Sequence, residues 1–322
     1  MGSVNLDNTG SGGAVTLTSD GTSLLLGGTA VGGSSDLYAE NYDGTSSKPS
    51  ATGTNAVAIG ISNASGSNAV ALATSDNTTT YGAAGSRSLA FGLRAKASSS
   101  NAISLGSLSQ ASNTNAVSIG AYSIASGYQS SVFGTYGTAS GLRSLVLSNS
   151  SVLNGTEATL HYAVALGNNA KSDIAGKFAF SNGRFSVNGD SQTGTFVLRV
   201  DTTDATAKIL KTNLNTTEAD NQVILPNNSA YAFHGTIVAR QSAAQGTASA
   251  AWKVEGLIRR EGSAGTTVLV NSATTVLDNT PNWGMALTAN TTHGGLAVTV
   301  TGAASTNIRW VSTITTSELI YE

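Results

Sequence analysis

Three histidines, His161, His234 and His293, and no cysteine are all that the chain offers for imidazole or thiolate chemistry. No two of the histidines stand at a metal-ligand spacing such as H-x-x-x-H. His234 lies in the strand-like run AYAFHG and reads as structural, His161 ends an insertion, and His293 sits in the loop-like ANTTHGG. Glycosidic bonds are cut by paired carboxylates. Asp201/Asp204, Glu255/Glu261 and Glu218/Asp220 are such pairs on paper, and solvated surface charge accounts for them. DNTTT (76–80) and DTTDAT (201–206) lack the dense acidic spacing of a calcium loop. No Gly-rich loop ends in Lys-Ser/Thr to cradle a phosphate. These residues assemble no convergent acid, base or nucleophile. The expectation is no catalytic, cofactor-binding or metal-binding residue, no cofactor, and a protein that is not an enzyme.

Rings that stack on the apolar face of a pyranose are the other chemistry to look for. Trp252 and Trp310 alternate with apolar residues inside strand patterns and read as core. Trp283 follows the turn-rich Asp278-Asn279-Thr280-Pro281-Asn282 and is the best candidate for an exposed ring. The candidate binding residues are therefore Trp283, Asn282, His293 and Asn290, together with Tyr81 and His161 from two lateral insertions, 74–86 and 149–161.

Charged residues are 11% of the chain and the net charge is -2, so the basic stripe of a nucleic-acid binder is missing. No run of eighteen apolar residues predicts membrane insertion. The opening MGSVNLDNTGSGG has no basic region followed by an apolar core and does not read as a secretory signal. With 37 glycines and dense Ser, Thr and Asn, the composition favours β-structure with many turns.

What must position any site is a repeat. Units begin at 55 (NAVAIG), 68 (NAVALA), 87 (RSLAFG), 101 (NAISLG), 115 (NAVSIG), 129 (QSSVFG), 143 (RSLVLS), 162 (YAVALG) and 176 (GKFAFS). These starts follow a fourteen-residue period, with one deletion and two five-residue insertions. A unit this short must stack on its neighbours as a solenoid. Third and fifth positions carry bulk, as in Val57/Ile59, Val70/Leu72, Ile103/Leu105 and Val117/Ile119; second and fourth positions are small, as in Ala56/Ala58 and Ala116/Ser118. Side chains alternate across a strand, so both faces are apolar and both expect cover. The expectation is that one side fills the coil of its own chain. The other meets a partner, and Ala and Ser suit a tight symmetric axis. The sixth position is Gly in six units (Gly60, Gly92, Gly106, Gly120, Gly134, Gly167), which permits a sharp exit at positive φ.

NAVAIGISNASGSNAVALA and NAVSIGAYSIASGYQSSVFG resemble the head repeats of trimeric autotransporter adhesins. The resemblance covers roughly 55–181 and implies a left-handed parallel β-roll with three chains around one axis. Ser131 and Lys177 depart from the pattern and imply local irregularity and a capping unit. Neither a long coiled-coil stalk nor a membrane-anchoring translocator is found. The run from GDSQTGTFVLRV through NQVILPNNSAYAFHGTIVAR to TNIRWVSTITTSELIYE resembles a module at the C-terminal ends of phage fibre proteins, which implies a distal tip that contacts the host.

The domain reading is 1–54 as an N-terminal β segment, with runs AVTLT (14–18) and SLLLGG (23–28) and a connector at 37–53. The β-roll follows at 55–188, and 189–322 forms a C-terminal antiparallel β-sandwich or jelly roll. The fold class is all-β. Taken together, the resemblances imply a homotrimeric fibre on a phage particle that attaches to a bacterial surface glycan or protein receptor by multivalent, non-covalent binding. The N-terminal region would meet other virion proteins. The alternatives are a structural or decoration fibre, a bacterial adhesin fragment and a polysaccharide depolymerase.

Overall fold

The computed structural model describes residues 48–75, 78–150, 155–214 and 219–321, and the backbone of four short strands nearer the N-terminus. Those four, Val4–Leu6, Val15–Ser19, Leu24–Leu26 and Thr29–Val31, form an antiparallel sheet in chain order. Most of the connector at 37–53 lies outside the described residues, as do parts of both insertions and Glu218.

The repeat forms a parallel β-solenoid of about nine turns. Each unit gives a strand to one sheet, from Val57–Ile59 to Phe178–Asn182, and its second half gives a shorter strand to a facing nine-stranded sheet, from Ser50–Ala51 to Lys171–Ser172. Register is strict: Ile103 pairs with Val117, Ser104 with Ser118, Leu105 with Ile119. Strand-exit glycines take positive φ, 128° at Gly120, where an added Cβ would also collide with the Gly134 carbonyl of the next coil. The first residue of each unit is a second left-handed corner, from Asn55 (φ 56°) through Asn115 (φ 57°) to Tyr162 (φ 60°). Asn tolerates this region best, which explains its recurrence there.

The two strand faces are the reverse of the expectation. The small residues, not the bulky ones, fill the coil: Ala71, Ala90, Ser104, Ser118, Val132, Val146, Ala165 and Ala179 are fully buried inside it. The bulky third and fifth positions point outward, and Phe91, Phe133, Leu147, Phe178 and Phe180 are exposed. The reason is width. A coil closed by two short strands leaves room for small side chains, Ala or Ser in most units and Val at Val132 and Val146. The buried serines satisfy one another, Ser104 Oγ with Ser109 Oγ at 2.6 Å and Ser118 Oγ with Ser123 Oγ at 2.7 Å, as buried hydroxyls must.

The main sheet does not stop at the last coil. Phe178–Asn182 pairs antiparallel with the first C-terminal strand, so one fourteen-stranded sheet runs through roll and C-terminal region. The C-terminal strands, in chain order, are β1 (Ser191–Thr202), β2 (Ala207–Ile209), β3 (Val223–Ile224), β4 (Ser229–Gln241), β5 (Ser249–Arg260), β6 (Val268–Asp278), β7 (Gly284–Asn290), β8 (Gly295–Thr301) and β9 (Ile308–Ile320). The sheet continues β1-β9-β4-β5-β6; β8 pairs with β2, β3 and β7 in a second, four-stranded sheet. One hydrophobic core draws on both, with Phe196, Tyr231, Ile237, Trp252, Trp310 and Ile314 from the first and Leu296, Val298 and Val300 from the second.

Two devices join the roll to the C-terminal strands. Asp190, in the connecting hairpin, accepts backbone N–H bonds from Phe185 (3.0 Å), Ser186 (2.6 Å) and Val187 (2.9 Å). Burial pushes its pKa up, but these donors and Ser191 outweigh it and hold the carboxyl below its ordinary value of 3.8. A depressed carboxylate stabilises the fold above its unfolded pKa, and that contribution disappears as pH falls through the lower folded value. Asp190→Asn should therefore lower the denaturant midpoint at neutral pH, and the gap from wild type should close well below pH 3.8. A gap that stays constant in acid would sink this account of the hairpin.

The second device is Lys177. It stands where other units place Ala or Ser inside the coil, and it is 1% exposed. Its Nζ lies 2.7 Å from Glu318 Oε2, 3.9 Å from Asp173 and 5.6 Å from the Phe196 ring centroid. Glu318 also accepts from Gln192 (2.6 Å) and Thr316 (2.7 Å). Gly194 leaves the space these groups occupy, since a Cβ there would meet Glu318 Oε1. The departure at Lys177 therefore caps the last coil onto the C-terminal strand β9.

Candidate functional site

The six residues singled out from sequence do not converge. Trp283 is not an exposed ring: it is 5% exposed and packs against Trp310 at 5.7 Å between centroids. Asn279 fixes it there, accepting from Trp283 N and donating to Trp283 O, both at 2.9 Å. A turn-rich approach leads the chain into the core, a reversal that local sequence does not display. Asn282 is exposed at the turn, at φ 56°. Asn290 and His293 lie at the opposite end of β7, about 20 Å along an extended strand from Trp283. Asn290 donates to Gln222 (3.0 Å) and accepts from the backbone of Thr292 and His293, and both line a cavity of about 380 Å³. Tyr81 sits beside Arg94, whose guanidinium is 5.8 Å from the ring centroid. His161 does not project in an insertion. It occupies an edge turn of the coil, and its carbonyl accepts from Gly176 N at 2.9 Å. Trp252 and Trp310 are core, as the alternation predicts, with rings stacked at 5.9 Å. His234 lies on the outward face of β4, opposite Glu255.

Side-chain ladders on the roll were missed. Arg87 donates to Asn101 and Asn101 to Asn115, each at 2.9 Å, and Arg143 donates to Gln129 at 2.7 Å. Tyr122 and Tyr136 stack at 4.8 Å and 8°. The signal was available, because the members of each pair sit one repeat apart and strict register superposes such positions.

Two further cavities hold chemistry. One, of about 290 Å³ where the roll meets the C-terminal strands, is lined by Glu157, Asp173 and Lys171 with Asn188, Gln192 and Tyr231. Asn188 donates to Glu157 at 3.1 Å. Glu157 and Asp173 thus share one cavity, which none of the sequence-derived pairs anticipated. Burial, then the charges of Glu318 and Asp173, raise the Tyr231 hydroxyl well above its usual pKa, so it stays protonated there. The other cavity, of about 590 Å³, opens where β1 and β4 end and β9 begins. Asp201, Arg240 and Arg309 stand at its mouth, over a floor that includes buried Thr202 and Ile308. Thr202 accepts from Trp310 Nε1 at 2.9 Å, which ties that floor to the core. Among the described residues, no three His, Cys, Asp or Glu gather as a metal site, and no helix is long and apolar enough to cross a membrane.

The family model for the YadA head domain repeat matches residues 51–72, 83–109, 97–123 and 119–144, all within the roll. No curated protein matches the sequence. Among solved structures, the tailspike protein gp49 of Acinetobacter baumannii bacteriophage Fri1, a capsular polysaccharide depolymerase, is 14% identical. The match covers 75% of this chain and 48% of that one, at a TM-score of 0.25. The Acinetobacter baumannii phage AM24 tailspike gives 9% identity, 71% and 45% coverage and 0.23. The tailspike of Acinetobacter phage vB_ApiP_P1 gives 11%, 73% and 50%, and 0.18. The chain spans about half the length of each. One expectation is corrected here: the sequence reading made this chain no enzyme, whereas gp49 is a depolymerase, and that reading is withdrawn. What the chain is similar to is an adhesin head repeat along its roll, and the roll is an adhesin-like β-solenoid.

Proposed function

We propose that this chain is a fibre or tailspike segment of a phage particle that self-associates as a homotrimer and attaches the particle to a bacterial surface glycan. The observation that carries the reading is the outward face of the solenoid. Coil after coil it presents Val, Ile, Leu and Phe in register, ending in Phe178 and Phe180 at 39% and 43% exposure. A continuous apolar face of this kind marks an interaction surface, and identical chains laid side by side would cover it along its whole length. The edge strand β6 adds Val268, Val270, Val276 and Leu277, exposed and paired on one side only. The C-terminal region serves in this reading as a β-sandwich tip, with the N-terminal segment toward other virion proteins. Three copies of each site would bind by avidity.

The Glu157/Asp173 cavity supports a second reading, in which the attached glycan is also cut, because two carboxylates around one cleft are the equipment for glycoside hydrolysis. One experiment addresses both. Fluorescent full-length protein is added to candidate host cells, and purified capsule or lipopolysaccharide is assayed for new reducing ends. Cell labelling that competes with phage adsorption is the expected result. Absence of labelling on every susceptible host would overturn attachment. Reducing ends that Glu157→Gln and Asp173→Asn both abolish would establish cleavage at this cavity.

A further inference from the structure

We propose that the cavity at the ends of β1, β4 and β9 is a subsite for an acidic sugar, its anionic group held by Arg240 and Arg309. This inference rests on the attachment reading and names the glycan class. Arg240 and Arg309 are register partners on neighbouring strands, and Asp201 is the register partner of Arg309 on its other side. Like charges directly opposite one another are unfavourable unless something negative lies between them. Asp201 supplies one carboxylate, in a solvent-exposed ion pair with Arg309 Nε at 3.6 Å. Lys208 adds a third cation, donating to the Asp201 carbonyl at 3.0 Å. Against Asp201 and Asp204, whose carboxylate also faces Lys208, the three cations leave this end of the sheet with a net excess of one positive charge.

The site is also built. Arg240 is fixed through Nη1 to the Thr247 carbonyl at 2.6 Å. Gln245 ties two rim loops together, donating to Ser305 O at 3.1 Å and accepting from Asn307 N at 2.7 Å. Gln241, Ser242 and Asn307 supply amide and hydroxyl groups suited to sugar hydroxyls. The volume of about 590 Å³ falls in the range of small-molecule sites. Paired guanidinium groups grip carboxylate and phosphate oxygens alike, so the shared chemistry is an anion carried on a sugar.

The test titrates the full-length protein with trigalacturonate, glucose 1-phosphate and neutral maltotriose at low and high salt. Trigalacturonate or the sugar phosphate should bind at least about tenfold more tightly than maltotriose, and added salt should erase the difference. Whichever of the two binds names the anion. Arg240→Gln and Arg309→Gln, both exposed positions, should each lose at least about tenfold for the acidic sugar while leaving the fold and the oligomeric state unchanged. Equal affinity for acidic and neutral sugars overturns the proposal. So do variants that bind as wild type, or variants that change oligomeric state, since the row would then be a contact between copies. Cell labelling separates this from the attachment reading: labelling that the double variant retains removes the cavity alone, whereas a wild type that labels no cells removes attachment.

Discussion

Glu318→Ala should destabilise the junction of the roll and the C-terminal strands by about 3 kcal/mol, because it leaves the buried Lys177 with only the Asp173 carboxylate, 3.9 Å away. Lys177 sits inside the last coil, Glu318 has no exposed side-chain surface, and the two meet at 2.7 Å. Removing Glu318 also takes the acceptor from one Gln192 N–H, while the Thr316 hydroxyl keeps the Gly194 carbonyl at 3.2 Å. The double variant Lys177→Met/Glu318→Leu should recover most of the loss, since apolar replacements of similar size often match a buried ion pair. Hydrogen exchange should accelerate first in β1 and β9, the strands beside the pair. Denaturant melts of the single and double variants measure the cost. An unchanged midpoint for Glu318→Ala would mean that the pair does not hold the C-terminal strand on the roll.

Ser118→Asp and Val117→Asp should fail in different ways, although the residues are neighbours. Ser118 is fully buried inside the coil with one hydroxyl partner, Ser123 at 2.7 Å. A carboxylate there has neither room nor a counter-charge, and burying an unpaired charge costs several kcal/mol. The expected outcome is insoluble or unfolded chain. Val117 points out of the coil. Val117→Asp should leave circular dichroism and solubility intact while abolishing self-association, so that native mass falls to the 32.2 kDa of one chain. A wild type that already runs at that mass would overturn the homotrimer. A Val117→Asp chain that still assembles would mean that the outward face is not the contact.

Much of the architecture was legible because it is periodic. A phrase recurring on so short and regular a beat, with apolar alternation, has few physical solutions, and a parallel stack of coils is the one that pairs every strand. The candidate site was far less legible. Trp283 looked exposed because Asn279, Pro281 and Asn282 surround it, yet a short turn suffices to deliver a ring into the core beside Trp310. Glu157 and Asp173 share a cavity because stacking pairs Glu157 with Lys171 on the next coil, and Asp173 lies two residues beyond Lys171. Arg240 and Arg309 are distant along the chain and become opposite partners only through the pairing of β4 with β9.

Amino-acid order alone was enough to make the middle of the chain a stack of coils, to locate the turn of each coil, and to leave both strand faces apolar. It also marked Lys177 as out of pattern. Which face lies inside is a property of the folded coil. Alternation assigns residues to two sides and carries no information about the space on either. That space is set by how closely the two sheets approach when so short a coil closes, and it admits Ala, Ser and at most Val in the regular units. The bulky residues are therefore driven outward, and the surface they form is available to other chains.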